Sequence, residues 1–197
     1  MLNLNRGKLT SFIFAIIHSQ ICLAQITISS ADMPNAGDTI RVSFTTNIGT
    51  NDPALTGANY TWNYSTLLPD SQTIIGFYST TSIPTYLLFY NPFNCSYGEP
   101  VPDAAIPMLG LTMTNQYNFY KENTSDWRLI GRGTTINSLP APMNYNPDDI
   151  IYKFPMNYGN TDTSVSAYSL QIPGLLYYGE TKNRYNQVDG WGTLTTP

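Results

Sequence analysis

The sequence predicts an all-β chain, mostly antiparallel, built as a sandwich or a curved open sheet (a half-barrel) of about eight to ten strands. Three observations lead there. Apolar and polar residues alternate with period two at many places, the pattern of a half-buried strand. The chain carries 15 Tyr, 8 Phe and 3 Trp punctuated by 14 Gly and 14 Pro, residues that fit pleated surfaces and turns. Helix formers are scarce: Glu occurs only at Glu99, Glu122 and Glu180, and no long apolar stripe repeats every 3.6 residues.

The elements follow in order. A first short strand is expected over 26–30. In Asp38–Phe44, Ile40, Val42 and Phe44 share one face and Thr39, Arg41 and Ser43 the other. Tyr60, Trp62 and Tyr64 likewise share a face against Thr61 and Asn63. Strands are expected over 73–79, 85–90 and 111–121. In Ser125–Gly131, Trp127 and Leu129 oppose Arg128. Later strands are expected over 150–154, 164–172 and 175–187. Turn clusters separate them at Asn47–Gly57, Asn123–Asp126, Pro140–Pro147, Asn157–Thr161 and Asp189-Gly190.

Asn91–Pro107 holds four prolines and little alternation, so it reads as a loop wrapping the sheet edge or as a short linker. Neither side of it has enough strands for its own core, which favours one domain over 25–197. The echo of Pro142-Met143-Asn144-Tyr145 in Pro155-Met156-Asn157-Tyr158 reads as two similar corners flanking a strand at 150–154. At the carboxy end, Asp189-Gly190 reads as a hairpin corner followed by a strand only begun, so a shortened C-terminal end is expected.

Residues 1–24 have the three parts of a secretory signal: Arg6 and Lys8 without an acid, the apolar run Leu9–Ile17, and small side chains at Cys22 and Ala24. The run is too short to span a bilayer, which takes about 20 apolar residues. Gln20 and Ile21 before Cys22 argue against lipidation. Cleavage after Ala24 is expected, giving a chain that begins at Gln25 and is secreted, held at the outer cell surface, or left in the periplasm if exported no further.

That cleavage removes His18, the one histidine, and Cys22, one of two cysteines. Imidazole bases, Ser-His-Asp triads, Cys-His pairs and histidine-ligated zinc go with them. Cys95 has no internal disulfide partner and reads as a small buried hydrophobe or an unpaired thiol on a loop. Two of the nine basic residues leave and none of the thirteen acids, so the mature chain carries six more acids than bases. With no basic stripe, nucleic acid is not an expected partner, and no transmembrane span is expected in the mature chain.

Asp148-Asp149, with Asn144 and Asn146 nearby, offer oxygen ligands for calcium, against the plainer reading of an acidic turn. Asn157, Asn160 and Asp162 offer a weaker version of the same. Glu99, Asp103, Glu122 and Glu180 are the acids available to a two-carboxylate glycosidase. The aromatics are the richest binding chemistry: Tyr60, Trp62 and Tyr64; Tyr86, Phe89 and Tyr90; and Tyr177-Tyr178, which as neighbours on a strand must face opposite ways. Trp62 and Trp127 read as core. The Asn-x-Ser/Thr triplets at Asn59, Asn63, Asn94 and Asn123 read as incidental to an Asn-rich composition.

The chain resembles a broad group of secreted Gram-negative β-rich proteins that often end in a type IX secretion sorting domain. The resemblance rests on Ile26–Ile40 (ITISSADMPNAGDTI), Gly57–Ser65 (GANYTWNYS), Lys153–Ser164 (KFPMNYGNTDTS) and Asp189–Pro197 (DGWGTLTTP). It implies a β fold and an exported compartment, with the closing motif opening into further β structure, a linker and a sorting domain that this sequence does not contain. The expected function is an exported, non-enzymatic surface or extracellular module that binds glycan or envelope protein through exposed aromatics, or serves a structural role. The alternative is a histidine-free, carboxylate-dependent hydrolase. No catalytic, cofactor-binding or metal-ligating residue is assigned, and no cofactor is expected.

Overall fold

Three long strands organise the chain: β6 (Leu111–Glu122), β7 (Asp126–Ile136) and β8 (Leu139–Lys153), paired antiparallel as a meander. Their turns are local chemistry. Asn123 Oδ1 accepts from the backbone N–H of Ser125 at 2.7 Å and of Asp126 at 3.0 Å, closing the first. Asn137 and Ser138, with φ of +48° and +68°, close the second as a two-residue hairpin turn whose twist matches the strands. The short β4 (Tyr97–Pro100) and β5 (Ala104–Ile106) complete this five-stranded sheet against β6.

The remaining strands form three pairs: β1 (Thr39–Phe44) antiparallel to β3 (Ser71–Gly76), β9 (Thr161–Ile172) antiparallel to β10 (Leu176–Gln187), and β2 (Gly57–Asn63) parallel to β11 (Gly190–Thr195). Among the described residues the architecture is therefore all-β and, one parallel pair apart, antiparallel, with open sheets and no closed barrel. It is a computed structural model that describes residues 26–106, 111–172, 174 and 176–197. The expected leader 1–24, Pro107 at the end of the proline-rich stretch and Leu175 lie outside the described residues.

The central sheet is covered on both faces. On one, Tyr97, Tyr120, Leu129, Met143 and Tyr145 meet Phe77 and the inward residues Tyr168 and Leu170 of β9. Trp127 packs there too, stacked between Tyr120 at 5.0 Å and Tyr152 at 5.6 Å, its indole N–H donating to Tyr97 at 2.7 Å. On the other, Ile83, Tyr86, Tyr90 and Cys95 close over Phe119. Cys95 is thus the small buried hydrophobe of the two readings; burial pushes its thiol up to about 12 despite Sγ contacts of 3.3 Å to the Tyr97 and Tyr120 carbonyls.

Gly131 and Gly133 make the second face possible, because the Tyr90 and Tyr86 rings lie where a Cβ would project. Gly131→Ala is expected to drive a methyl into the Tyr90 ring, whose hydroxyl is anchored to the Arg132 carbonyl at 3.0 Å. Overpacking of this kind costs about 1–3 kcal/mol, read as a lowered urea midpoint.

Several expected elements differ. Residues 26–30 give only an isolated bridge at Ile28 to Met156, followed by a 3₁₀ turn at Ser30–Asp32. The expected strand 85–90 is irregular after a 3₁₀ turn at Pro84–Tyr86, because its aromatics pack inward over the sheet rather than alternate across one. The loop assigned to Asn91–Pro107 contains β4 and β5, both paired with β6, β4 at its far end about twenty residues on and β5 at its near end, where Ile106 pairs with Leu111. Pro140–Pro147 is not a turn: β8 runs through it. Pro140 and Pro142 sit two residues apart on the outermost strand of its sheet, where the missing N–H groups face the open edge. Asp189-Gly190 opens β11 toward β2 rather than closing a hairpin. Ile40 and Phe44 are 44% and 53% exposed, so the face they share is not the buried one expected.

Candidate functional site

The β9–β10 hairpin is built from alternating residues, and the alternation sorts charge. On β10, Glu180, Lys182, Arg184 and Asn186 turn inward. Tyr177, Gly179, Thr181, Asn183, Tyr185 and Gln187 turn out, all exposed. On β9, Ser164, Ser166, Tyr168 and Leu170 turn inward, while Thr161, Thr163, Val165, Ala167, Ser169 and Gln171 pair with the outward set of β10. The outward face carries no charged residue.

The inward charges meet β8. Asp149 is 1% exposed, and its carboxylate accepts from Lys182 Nζ at 2.8 Å and from Arg184 in bidentate fashion, Nε to Oδ1 at 3.1 Å and Nη2 to Oδ2 at 2.9 Å. Burial pushes this carboxyl up, but the hydrogen bonds and charges of Arg184 and Lys182 outweigh it and hold it below the ordinary aspartate value. Burial likewise pulls the Lys182 ammonium down, and Asp149 more than restores it. Glu180 completes the cluster: it accepts from the Tyr145 hydroxyl at 3.2 Å and the Tyr168 hydroxyl at 3.4 Å, with Lys182 at 3.4 Å and Arg132 at 4.0 Å. Further along, Ser164 donates to the Ile150 carbonyl at 2.9 Å and Asn186 to that of Ile151 at 2.7 Å, fastening the hairpin to β8.

Where the outward face meets the β8 edge lies an open polar depression of about 600 Å³. Its walls are Asn144 and Asn146 of β8, Ser169 of β9, and Tyr177, Gly179 and Thr181 of β10, with Glu180 and Tyr168 at the side. Tyr177 is 72% exposed. Amides and hydroxyls donate and accept alike, and a phenol ring beside them offers an apolar face.

The residues singled out in the sequence are distributed as follows. Asp148 and Asp149 are strand residues of opposite facing: Asp148 binds Arg128 at 3.3 Å, beside Asp126, and Asp149 binds Lys182 and Arg184. This corrects the acidic-turn reading. The calcium reading also loses its ligands, since cations of the chain hold both carboxylates; among the described residues no group of three His, Cys, Asp or Glu side chains is placed to hold a metal. Of the acids offered for hydrolysis, Glu180 is brought beside Asp149 through their shared lysine. Glu99 lies elsewhere, accepting from Tyr120 at 2.6 Å, and burial pushes the Glu122 carboxyl up on β6. Tyr86 and Tyr90 are core, 0% and 2% exposed. Tyr60, Trp62 and Tyr64 are half-buried, the Trp62 indole donating to the Leu55 carbonyl at 2.8 Å. Tyr177 and Tyr178 do face opposite ways, Tyr178 turning toward Tyr168 at 6.0 Å.

Lys182, Arg184 and Tyr185 were not singled out in the sequence, and Asn144 and Asn146 only as oxygen ligands for calcium. The signal was present, since charges at every second residue of β10 predict one charged and one uncharged face. Among the described residues no helix is long and apolar enough to cross a membrane. No known protein family, curated protein or solved structure matches the chain, so the functional reading rests on these residues.

Proposed function

We propose that this chain is an exported, non-enzymatic β module that binds a neutral glycan in the depression at Tyr177. The reading of the first 24 residues as a cleaved signal, and the resemblance to type IX-secreted proteins, support a place outside the cell or on its surface. The observation that carries the binding reading is the charge sorting of the hairpin. The three ionised groups of β10 turn to the side of β8 and are only partly open to water, Glu180 bordering the depression, while phenol, amide and hydroxyl groups make up the outward side. A pyranose has an apolar C–H face and a rim of hydroxyls that both donate and accept. Tyr177 suits the face, and Asn144, Asn146, Ser169 and Thr181 suit the rim.

The hydrolase alternative draws on Asp149 and Glu180, which share Lys182. A glycosidase acid must keep its proton near neutral pH, which takes a carboxyl shifted upward. Asp149 is shifted downward and closed to solvent, so it is no such acid; the carboxyl that burial does push up, Glu122, lies on β6 outside this pair.

Tyr177→Ala is expected to weaken retention of neutral polysaccharide in affinity electrophoresis about tenfold, equal to about 1.4 kcal/mol, with no change in thermal midpoint. The wild type is expected to release no reducing ends. Reducing ends released by the wild type and abolished by Glu180→Gln favour the hydrolase instead.

A further inference from the structure

Resting on that reading, we infer that the ligand is an extended, neutral polysaccharide lying along the whole outer face of β10, from Tyr177 to Tyr185, and not a single sugar held at one end. The two tyrosines stand on one face of one strand, eight residues apart, which at about 3.4 Å per residue separates them by about 27 Å. Both are strongly exposed, 72% and 64%. The face between them, Gly179, Thr181 and Asn183 flanked by Ala167 and Val165, is small, uncharged and continuous.

A second depression, of about 250 Å³, opens at the Tyr185 end beside Gln187 and Asn160. Its charged members, Lys153 and Asp162, keep their charge but each makes a hydrogen bond to a neutral group of the chain. The Lys153 ammonium donates to the Thr163 carbonyl at 3.0 Å, and Asp162 accepts from Asn186 at 3.4 Å. The strip between the two hollows is uncharged, with Glu180 at the side of the first and Lys153 and Asp162 in the second, and each hollow has a tyrosine at its margin. A polymer with repeated C–H faces engages both; a disaccharide reaches one.

The same strand argues against a protein strand as occupant. β10 pairs on one side only, with β9, and such an edge invites strand addition. Inward-pointing charges are a recognised protection of edges, and Glu180, Lys182 and Arg184 supply three on alternate residues. The outer face of β10 itself offers an anionic polymer no cation, and Lys153, exposed in the second hollow, is the one cation an anionic polymer would meet on this path.

The test sets Tyr185→Ala beside Tyr177→Ala and wild type on four probes: galactomannan, xylan and hydroxyethylcellulose as neutral polymers, and alginate as an anionic one. Calorimetry with the disaccharide of whichever neutral polymer is retained completes the set. Tyr185→Ala is expected to lower polymer affinity about tenfold and leave disaccharide affinity unchanged, whereas Tyr177→Ala lowers both. Both side chains are exposed, and unchanged thermal midpoints verify that both variants stay folded. Wild-type polymer affinity in Tyr185→Ala, with Tyr177→Ala still impaired, overturns the extended site and leaves the Tyr177 reading standing. Stronger retention by alginate overturns the neutral-polymer assignment. A wild-type dimer in gel filtration that Tyr185→Ala dissolves overturns it in favour of a contact between copies. Retention by none of the four probes overturns this inference and the Tyr177 reading together.

Discussion

Asp149→Asn is expected to lower the stability of the folded chain by about 3 kcal/mol, toward the low end of what breaking a buried ion pair costs. The carboxylate is 1% exposed and accepts from two cations, Lys182 and Arg184. An asparagine of nearly equal size keeps the packing but leaves two positive charges facing each other across a neutral amide. Both cations are partly open to water, with side-chain exposures of 29% and 28%, so they rehydrate in part and the loss stays at the low end. Equilibrium urea unfolding reads the change, and an unaltered midpoint contradicts the account.

The same carboxylate fixes a direction in pH. Its folded-state value is depressed, so the stability it contributes is present above the unfolded value, about 3.9. That contribution is lost as pH falls through the lower folded value. Wild type is therefore expected to lose stability below about pH 4, and Asp149→Asn to lose less over the same interval. The two curves should converge in acid.

Phe119→Ala is expected to cost more, about 3–5 kcal/mol, the range for removing a fully buried aromatic ring. Phe119 is 0% exposed and stacked on Tyr90, with ring centroids 4.0 Å apart. The Tyr86 ring meets it edge-on at 5.7 Å. It is the floor on which the irregular segment after Pro84 rests, because that segment lacks its own strand pairing and is held by these rings. Local opening should accompany the loss. Cys95, buried in the same cluster with its thiol pushed up to about 12, is expected to be inert to disulfide reagents in wild type and reactive in Phe119→Ala without denaturant. Urea midpoints and thiol labelling check the two parts separately. A loss below about 1 kcal/mol with an inert thiol would show that the second face does not depend on this ring.

The legible parts of the sequence were those where local pattern and tertiary pairing agree. The alternation in 164–172 and 175–187 marked β9 and β10 because one side of each faces a core and the other faces water. The aromatic run at 85–90 misled, since rings that lie flat over glycines of another strand leave no periodic trace of their own. β4 and β5 were hidden because they are only four and three residues long, too short for alternation to show, and sit among the prolines at 92, 100, 102 and 107. Pro140 to Pro147 carried turn chemistry that an edge strand tolerates, and only the Pro spacing of two hinted at it. At the site, adjacent tyrosines at 177 and 178 had to diverge, which made an exposed ring readable. The partners of Asp149 lay more than thirty positions along the chain, beyond what adjacency of two acids reveals.

Everything proposed for function depends on the outward side of β10 working through hydroxyls, amides and phenol rings while its ions are spent on β8. The direct test is the ionic-strength dependence of polysaccharide retention by wild type from about 0.05 to 1 M salt, a range over which the screening length shrinks from above 10 Å to about 3 Å. Retention unchanged across that range is the predicted result. Retention that collapses as salt rises would mean that charge carries the binding, and would contradict the account.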